Sequence, residues 1–185
     1  AQMNPHFLYN CLSGIKWKAL RKGDDDISDI TGLLAKFYRT ALNNGQQITT
    51  VSSELENIRA YIEIQKKMHE EPFEVEYRID ESGLECCMPN FLLQPLVENS
   101  ISHGMKEDER LNVRVNVELN GDHLCIRVSD DGEGIDEEKL KQVRKGLKSA
   151  YTENGRHIGL YNVNKRITLV YGETYGVEIE SEYGK

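Results

Sequence analysis

Residues 91–104, with the sequence FLLQPLVENSISHG, constrain the fold most, because their apolar and small side chains recur at helical spacing. On a helix these residues form one continuous stripe, made up of Leu92, Leu93, Leu96, Val97, Ser100, Ile101 and Gly104. Asn99 and His103, one helical step apart, fall together at the edge of that stripe. The pattern predicts a core helix with a polar flank, which could also form one wall of a binding site.

The length and charge of the chain exclude several classes of protein. Its 185 residues, of which 38% are hydrophobic and 29% charged, are typical of one soluble globular domain, with room for a small appendage. The net charge of −8 argues against binding to bulk nucleic acid or to an anionic membrane surface. A single nucleotide stays possible, because backbone N–H groups and a metal can hold it. The four cysteines lack CxxC spacing, which favours free thiols in a reducing cytoplasm.

The start of the chain predicts a helix that carries a candidate reactive group. Asn4 and Pro5 are typical of an N-cap followed by the first helical position. His6 then lies in the first turn, and Asn10, four residues later, is its neighbour on the same side of the helix. A lone histidine is most often structural, although its imidazole has the nitrogen atoms needed to attack phosphorus.

A second helix is predicted over residues 27–44, where apolar residues recur every three or four positions after a capping Asp26. Two helices joined by a short turn cannot bury both apolar stripes alone, so we expect a homodimer, most simply a four-helix bundle. The polar, glycine-containing residues 43–47 are typical of a linker. We therefore expect a dimerising helical hairpin over residues 1–46 and a second domain over residues 47–185.

The second domain alternates between helical and strand-like periodicity. Ser53 and Glu56 form a predicted capping box, Asn120-Gly121 favours a tight hairpin turn, and Asp136 precedes a short helix and then a lid. The other predicted segments are a helix, a strand, a helix, two strands, a helix and a strand, at residues 53–68, 73–79, 91–104, 111–119, 124–128, 158–171 and 175–182. This order predicts an α+β fold in which helices cover one face of a mixed sheet.

The acidic glycine turn at residues 130–135, DDGEGI, is the first candidate binding element. Gly132 and Gly134 would let the backbone approach a flat or charged ligand without a Cβ clash. Asp130, at the end of a predicted strand, could accept a hydrogen bond from an exocyclic amine such as that of adenine. Such turns are also common as plain loops, but the further ligands of an EF-hand calcium site are missing.

Two further positions suit a phosphate group and its cation. Gly159 lies at the start of a predicted helix, where backbone N–H groups and the positive dipole end favour phosphate, although simple loop punctuation is an alternative. Asn99 supplies a neutral oxygen of the kind that Mg²⁺ accepts together with phosphate oxygens and water. Glu98 projects about 100° away from Asn99 and is either part of the metal shell or solvated.

Four motifs in register, NPHFLYN, LLQPLVENSISHG, SDDGEGI and HIGLYNVNKRI, resemble the LytS/YesM-like group of sensor histidine kinases. The resemblance covers essentially the whole chain and implies an N-terminal phosphoacceptor hairpin followed by an ATP-binding sandwich of the GHKL type. It implies ATP and Mg²⁺ as cofactors and His6 as phosphoacceptor. We expect the nucleotide to be bound by Asn99, His103, Asp130, Gly132, Gly134, Ile135, Gly159 and Leu160. The resemblance implies Asn99 as a ligand of the metal, and Glu98 is the second candidate by its position on the helix.

The resemblance also implies partners and a location. It implies a homodimer, relay of the phosphoryl group to an aspartate of a response regulator, and a cytoplasmic position downstream of sensory and membrane segments. Phe7 replaces the acid that follows the histidine in many kinases, so the proton acceptor is unassigned. His157 stands where other histidine kinases often have glycine, which leaves the phosphate contacts of the lid open. We hypothesise that Asn10 assists dephosphorylation of the regulator.

Two alternatives to the kinase remain at this point. One is a non-catalytic ATP-sensing scaffold whose hairpin docks a partner. The other is a GHKL-type ATPase that works as a conformational clamp, which is disfavoured because Pro95, not a glutamate, lies one turn before Asn99.

Overall fold

The N-terminal hairpin consists of two helices of equal length. The computed structural model of the protein describes residues 5–42, 46–68, 73–104, 110–148 and 158–184. Helix α1 (Pro5–Lys22) and helix α2 (Asp25–Leu42) pack against each other across a turn at Gly23, whose φ of 72° suits glycine. The carboxylate of Asp24 accepts a hydrogen bond from the Ile27 N–H at 3.1 Å. The capping residue is therefore Asp24, not the predicted Asp26.

The rest of the described chain contains five strands and four helices. In chain order they are β1 (Ile48–Thr50), α3 (Val51–Met68), β2 (Phe73–Ile79), β3 (Cys87–Pro89), α4 (Leu93–Gly104), β4 (Leu111–Asn120), β5 (His123–Asp130), α5 (Glu137–Gly146) and α6 (Ile158–Tyr171), with a short 3₁₀ turn at Glu81–Gly83. The predicted strand pair, the helix after Asp136 and the helix at 158–171 are all present.

The main sheet is mixed and has the order β2-β4-β5. Strand β2 pairs parallel with β4, with Phe73 opposite Leu111, and β4 pairs antiparallel with β5. Along β4, the side chains of Leu111, Val113, Val115 and Val117 are buried and alternate with more exposed ones. The buried side chains join those of α3, α4 and α6 in one core. The predicted α+β sandwich with helices on one face is therefore confirmed.

The structure differs from the sequence expectation in several elements: β1 and β3 were not predicted, and α4 begins at Leu93 rather than at Phe91. Helix α3 begins at Val51, ahead of the predicted capping box at Ser53, because the Thr50 hydroxyl accepts the Ser53 N–H and the fully buried Val51 donates its N–H to Cys86. The predicted strand at 175–182 is not a strand. The Ser181 hydroxyl accepts a hydrogen bond from the Ile135 N–H of the acidic glycine turn, and the Ile179 carbonyl oxygen accepts one from Arg144 of α5. The segment is therefore not paired in a sheet ladder.

The hairpin packs on the second unit through α2 and α3. The rings of Phe37 and Tyr61 lie 6.3 Å apart, and the Lys67 ammonium lies 3.3 Å from the Asp29 carboxylate. Helix α1 keeps large apolar side chains in solvent, with Phe7 67% and Trp17 68% exposed. None of the helices in the described part of the chain is long and apolar enough to cross a membrane. The proposed boundary after residue 46 stays a prediction.

Candidate functional site

Helix α4 forms the central wall of the candidate site. Its stripe is buried as predicted, with Leu93, Val97 and Ile101 each at most 1% exposed. Asn99 is half-buried at the edge of that stripe, and His103 is exposed one turn later. The helix therefore packs by its apolar face and leaves the amide and the imidazole at its margin.

The acidic glycine turn meets the C-terminal end of α4. The Gly132 N–H donates to Asp130 Oδ1 at 3.2 Å. A Cβ on Gly132 would lie 2.6 Å from the Gly104 Cα and 3.0 Å from its carbonyl oxygen, so the two backbones touch. A Cβ on Gly104 would in turn lie 2.8 Å from the Leu111 side chain and 3.4 Å from Asp130 Oδ1. Glycine at both 104 and 132 thus allows Asp130 to lie directly against the end of α4.

The second half of the turn faces the C-terminal segment instead. Gly134 has φ of 78°, and a Cβ there would collide with the backbone of Glu182. The Ile135 N–H donates to the Ser181 hydroxyl at 2.8 Å, and Ile135 is half-buried. Gly134 and Ile135 therefore anchor the turn to residues 181–184, while Asp130 and Gly132 are the part that borders α4.

The start of α6 lies beside the N-terminal half of α4. A Cβ on Gly159 would lie 3.8 Å from the Pro95 Cβ, which is ordinary van der Waals contact. Leu160 is half-buried, and Gly159 is exposed at the first turn of α6. His157 and the predicted lid at 149–157 fall outside the described residues. The first turn of α6 therefore lies beside Pro95 of α4.

Helix α4 sets the spacing between these elements. At about 1.5 Å of rise per residue, Asn99 lies about 6 Å along the axis from Pro95 and about 7.5 Å from Gly104. Asp130 at the Gly104 end, Asn99, and the start of α6 beside Pro95 therefore follow one another along the axis of α4.

The neighbouring Glu98 lies on the side of α4 that faces α3. Burial, together with the negative charge of Glu98, raises the pKa of the Tyr61 hydroxyl to about 12. Glu98 itself is exposed. Its carboxylate is therefore within electrostatic range of Tyr61, whose ring also contacts Phe37 of the hairpin.

The phosphoacceptor candidate lies on the hairpin. His6 is exposed in the first turn of α1, and the Asn10 amide is 3.4 Å from its Nδ1 atom. The predicted neighbour pair is therefore present. His6 lies in the first turn of α1 as it is described, one residue after Pro5.

A polar cavity of about 700 Å³ borders Asp130 from the strands. Its lining includes Glu76 and Arg114, which form an ion pair at 2.8 Å, and Asp131, which accepts two hydrogen bonds from Asn112. Among the described residues that line it, neither Asn99 nor Gly159 occurs. The cavity therefore shares Asp130 with the row of residues along α4, but its lining otherwise comes from the strands, Lys66 and Asp131.

Sequence reasoning missed one buried charge, Glu54. Its carboxylate is 3% exposed and accepts hydrogen bonds from the N–H groups of Phe91 (2.8 Å), Leu92 (3.1 Å) and Leu93 (3.1 Å). Burial raises the pKa of Glu54, against the lowering effect of these bonds and of Arg166. The signal was present, because Glu54 falls on the apolar stripe of α3, three residues after Val51.

Two family models cover most of the chain. Residues 1–73 match the family described as histidine kinase, and residues 90–185 match the family of histidine kinase-, DNA gyrase B- and HSP90-like ATPases. A solved histidine kinase domain, from the blue-light activated kinase of Erythrobacter litoralis, aligns with a TM-score of 0.47 at 14% identity over 87% of this chain and 83% of that one.

Curated relatives match almost the entire sequence. The chain is 34% identical to the sensor histidine kinase YesM of Bacillus subtilis over 100% of its length, and 33% identical to the sensor protein LytS of Staphylococcus epidermidis over 98%. It is 35% identical to the sensor histidine kinase YpdA of Escherichia coli over 94%. In each case it spans about 30% of the length of the relative. The chain therefore belongs to the sensor histidine kinases of the LytS and YesM type.

Proposed function

We propose that this chain binds ATP along α4 and transfers its γ-phosphoryl group to His6, from which an aspartate of a response regulator receives it. The observation that carries the proposal is the arrangement around α4, where Asp130 borders one end and Gly159 the other. Asn99 lies between them. Phosphoryl transfer requires mainly positioning and charge neutralisation, which such a row can supply.

Each residue then has a defined task. Asp130 accepts a hydrogen bond from the adenine amine, while Gly132 keeps Asp130 against Gly104. The N–H groups at Gly159 and Leu160 bind the phosphate chain. His103, exposed one turn beyond Asn99, is the further nucleotide-binding residue of this proposal.

The donor set fits a Mg²⁺ ion held mainly by the nucleotide. The described residues contain no cluster of three or more histidine, cysteine or acidic side chains that could hold a metal alone. One amide oxygen, from Asn99, suits an ion that takes its other ligands from phosphates and water. When bound, this ion neutralises charge on the phosphates. Glu98, adjacent to Asn99, is the second candidate ligand.

His6 supplies the nucleophile. Its exposed imidazole attacks the γ-phosphorus, the bond from phosphorus to the β–γ bridging oxygen breaks, and ADP leaves. The negatively charged phosphohistidine then lies at the positive end of α1, which favours it. We propose that Asn10, which contacts His6, positions a water during dephosphorylation of the regulator.

The exposed apolar side chains of α1 support a homodimer. Phe7, Ile15 and Trp17 are each about half exposed or more in the single chain, and a second copy would cover them as a four-helix bundle. Since ATP is the donor, we place this part of the protein in the cytoplasm, downstream of sensory and membrane segments. Replacement of Trp17 by Glu should produce a monomer in analytical ultracentrifugation, and a dimer that persists would contradict this interface.

Incubation with γ-labelled ATP and Mg²⁺ tests the kinase proposal. We expect an acid-labile, alkali-stable label on the protein that is absent from His6→Ala, while the ATP affinity of this variant stays close to the original. Label that persists in His6→Ala would refute the assignment of the phosphoacceptor. An ATP-sensing scaffold would bind ATP without any label, and an ATPase clamp would release phosphate without labelling itself.

A further inference from the structure

We propose that Glu54, on α3, is a positioning residue of the nucleotide site, which acts by fixing the first turn of α4. The inference rests on the proposed binding of ATP along that helix. Glu54 is not one of the proposed nucleotide-binding residues. It lies on α3 and contacts the start of α4 through the backbone N–H groups of residues 91–93.

Glu54 performs the role of an N-cap from a distance of 39 residues. The first N–H groups of a helix have no partner within the helix and need an external acceptor. Here one carboxylate accepts from Phe91, Leu92 and Leu93 in succession. The local candidate for a cap is turned away, because the Asn90 amide donates to the Gln46 carbonyl oxygen at 2.7 Å.

The turn that Glu54 holds is strained. Phe91 has φ of 58°, a left-handed conformation that is rare for a bulky residue with a Cβ. Such a conformation persists only where the surrounding structure enforces it, and it often accompanies a functional site. Without the carboxylate, we expect this turn to relax to an ordinary backbone conformation, which would shift the residue at which α4 begins.

A second contact holds the same turn from α6. The Arg166 guanidinium donates to the Asn90 carbonyl oxygen at 2.6 Å and lies 6.0 Å from the centre of the Phe91 ring. Arg166 is seven residues, or about two helical turns, after Gly159 on the same helix. Glu54 and Arg166 thus clamp the turn between α3 and α6.

The clamp determines the spacing of the nucleotide groups. A shift at Phe91 would move Pro95, which lies beside Gly159, and Asn99 one turn further along α4. The distance between the Asn99 amide and the phosphate-binding start of α6 would then change. Since a displacement of about 1 Å is enough to disturb bound phosphate groups, ATP affinity should depend on Glu54 although Glu54 touches no nucleotide.

The test compares Glu54→Gln with Glu56→Gln, an exposed glutamate on the same helix. The glutamine at position 54 keeps the size of the side chain and one acceptor oxygen but loses the charge. We measure the affinity for a non-hydrolysable ATP analogue with Mg²⁺, well below the melting temperature, together with thermal unfolding. The expected result is an affinity about tenfold weaker for Glu54→Gln, with cooperative unfolding retained and no change for Glu56→Gln.

A labelling assay separates positioning from a purely structural role. In single-turnover labelling, Glu54→Gln should raise the half-saturating ATP concentration by a similar factor, while the rate at saturating ATP changes less. A lowered melting temperature with unchanged ATP affinity would overturn the proposal.

Two additional variants keep the test decisive. If Glu54→Gln does not fold, Arg166→Gln removes the other half of the clamp at an exposed residue. This variant should bind the ATP analogue several-fold more weakly, and an unchanged affinity would overturn the proposal. Asp130→Asn tests the nucleotide site itself. Loss of binding in Asp130→Asn with full binding in Glu54→Gln would refute the clamp alone, whereas an unmodified protein that binds no ATP would refute the proposed function.

Discussion

Gly132→Ala is the sharpest test of how the acidic turn and α4 form one site. The new Cβ would lie 2.6 Å from the Gly104 Cα, about 0.8 Å closer than ordinary contact, and 3.0 Å from both the Gly104 carbonyl oxygen and Asp130 Oδ1. Two of these atoms belong to the backbone of a helix, so no side-chain rotation relieves the clash. Overpacking of this kind costs about 1–3 kcal/mol. We therefore expect the turn to move away from α4 and carry Asp130 with it.

The consequence is measurable in two independent ways. For a chain of this size, each kcal/mol lowers the melting temperature by about 2–4 °C. ATP affinity should fall by at least about tenfold, because Asp130 leaves its place beside Gly104.

The matched control is Gly14→Ala. Gly14 lies within α1, and a Cβ there meets nothing within 4 Å. Alanine should therefore raise helix stability slightly and leave ATP affinity unchanged. A Gly132→Ala protein with normal melting temperature and normal ATP affinity would show that the contact between the turn and α4 is not what forms the site.

Three further changes have definite expected outcomes. Asn10→Ala should slow dephosphorylation of a regulator while labelling of His6 continues, and an unchanged dephosphorylation rate would contradict the role of Asn10. Gly134→Ala should destabilise the protein in urea denaturation, since a Cβ would strike the Glu182 backbone and alanine disfavours the φ of 78°. Because burial raises the pKa of Glu54 above 4.5, its ionisation costs folded-state stability. The free energy of unfolding in urea, measured for the unmodified protein minus that of Glu54→Gln, should therefore fall as the pH rises from 4.5 through the raised pKa. A difference that rises over this pH range would contradict the raised pKa.

Periodicity predicted the elements that have one strongly patterned face. The apolar stripe of α4 and the alternation along β4 can each be recognised within one short stretch of sequence. The apolar side chains of both patterns are buried as predicted. A tight turn joins β4 and β5 as predicted, although its two central residues are Gly121 and Asp122, because Asn120 still pairs with His123 in the ladder; Gly121 supplies the φ of 61°. These signals are local, so the sequence was enough to predict them.

Long-range partners decided the elements that the sequence misassigned. Val51 starts α3 because its N–H group bonds to Cys86, a residue 35 positions away, which no local capping rule contains. The alternating pattern at 175–182 resembles a strand, yet Arg144 donates to the Ile179 carbonyl oxygen, and Ser181 bonds to Ile135. An alternating pattern requires a neighbouring strand before it becomes one, and that neighbour cannot be identified from the pattern itself.

The candidate site illustrates the same limit in its chemistry. Asp130, Asn99 and Gly159 could each be singled out because their residue types suit amine, cation and phosphate. What joins them is less visible in the sequence: Gly104 and Gly132 touch backbone to backbone, and Glu54 caps a helix to which it is not connected locally. A glycine in a helical stripe and a glutamate among apolar residues each look like minor irregularities of a core pattern. Gly104 and Glu54 have the same explanation if α4 positions a ligand along its length, because such a helix must be fixed at both ends. Glu54 fixes its start, and the contact between Gly104 and Gly132 fixes its end.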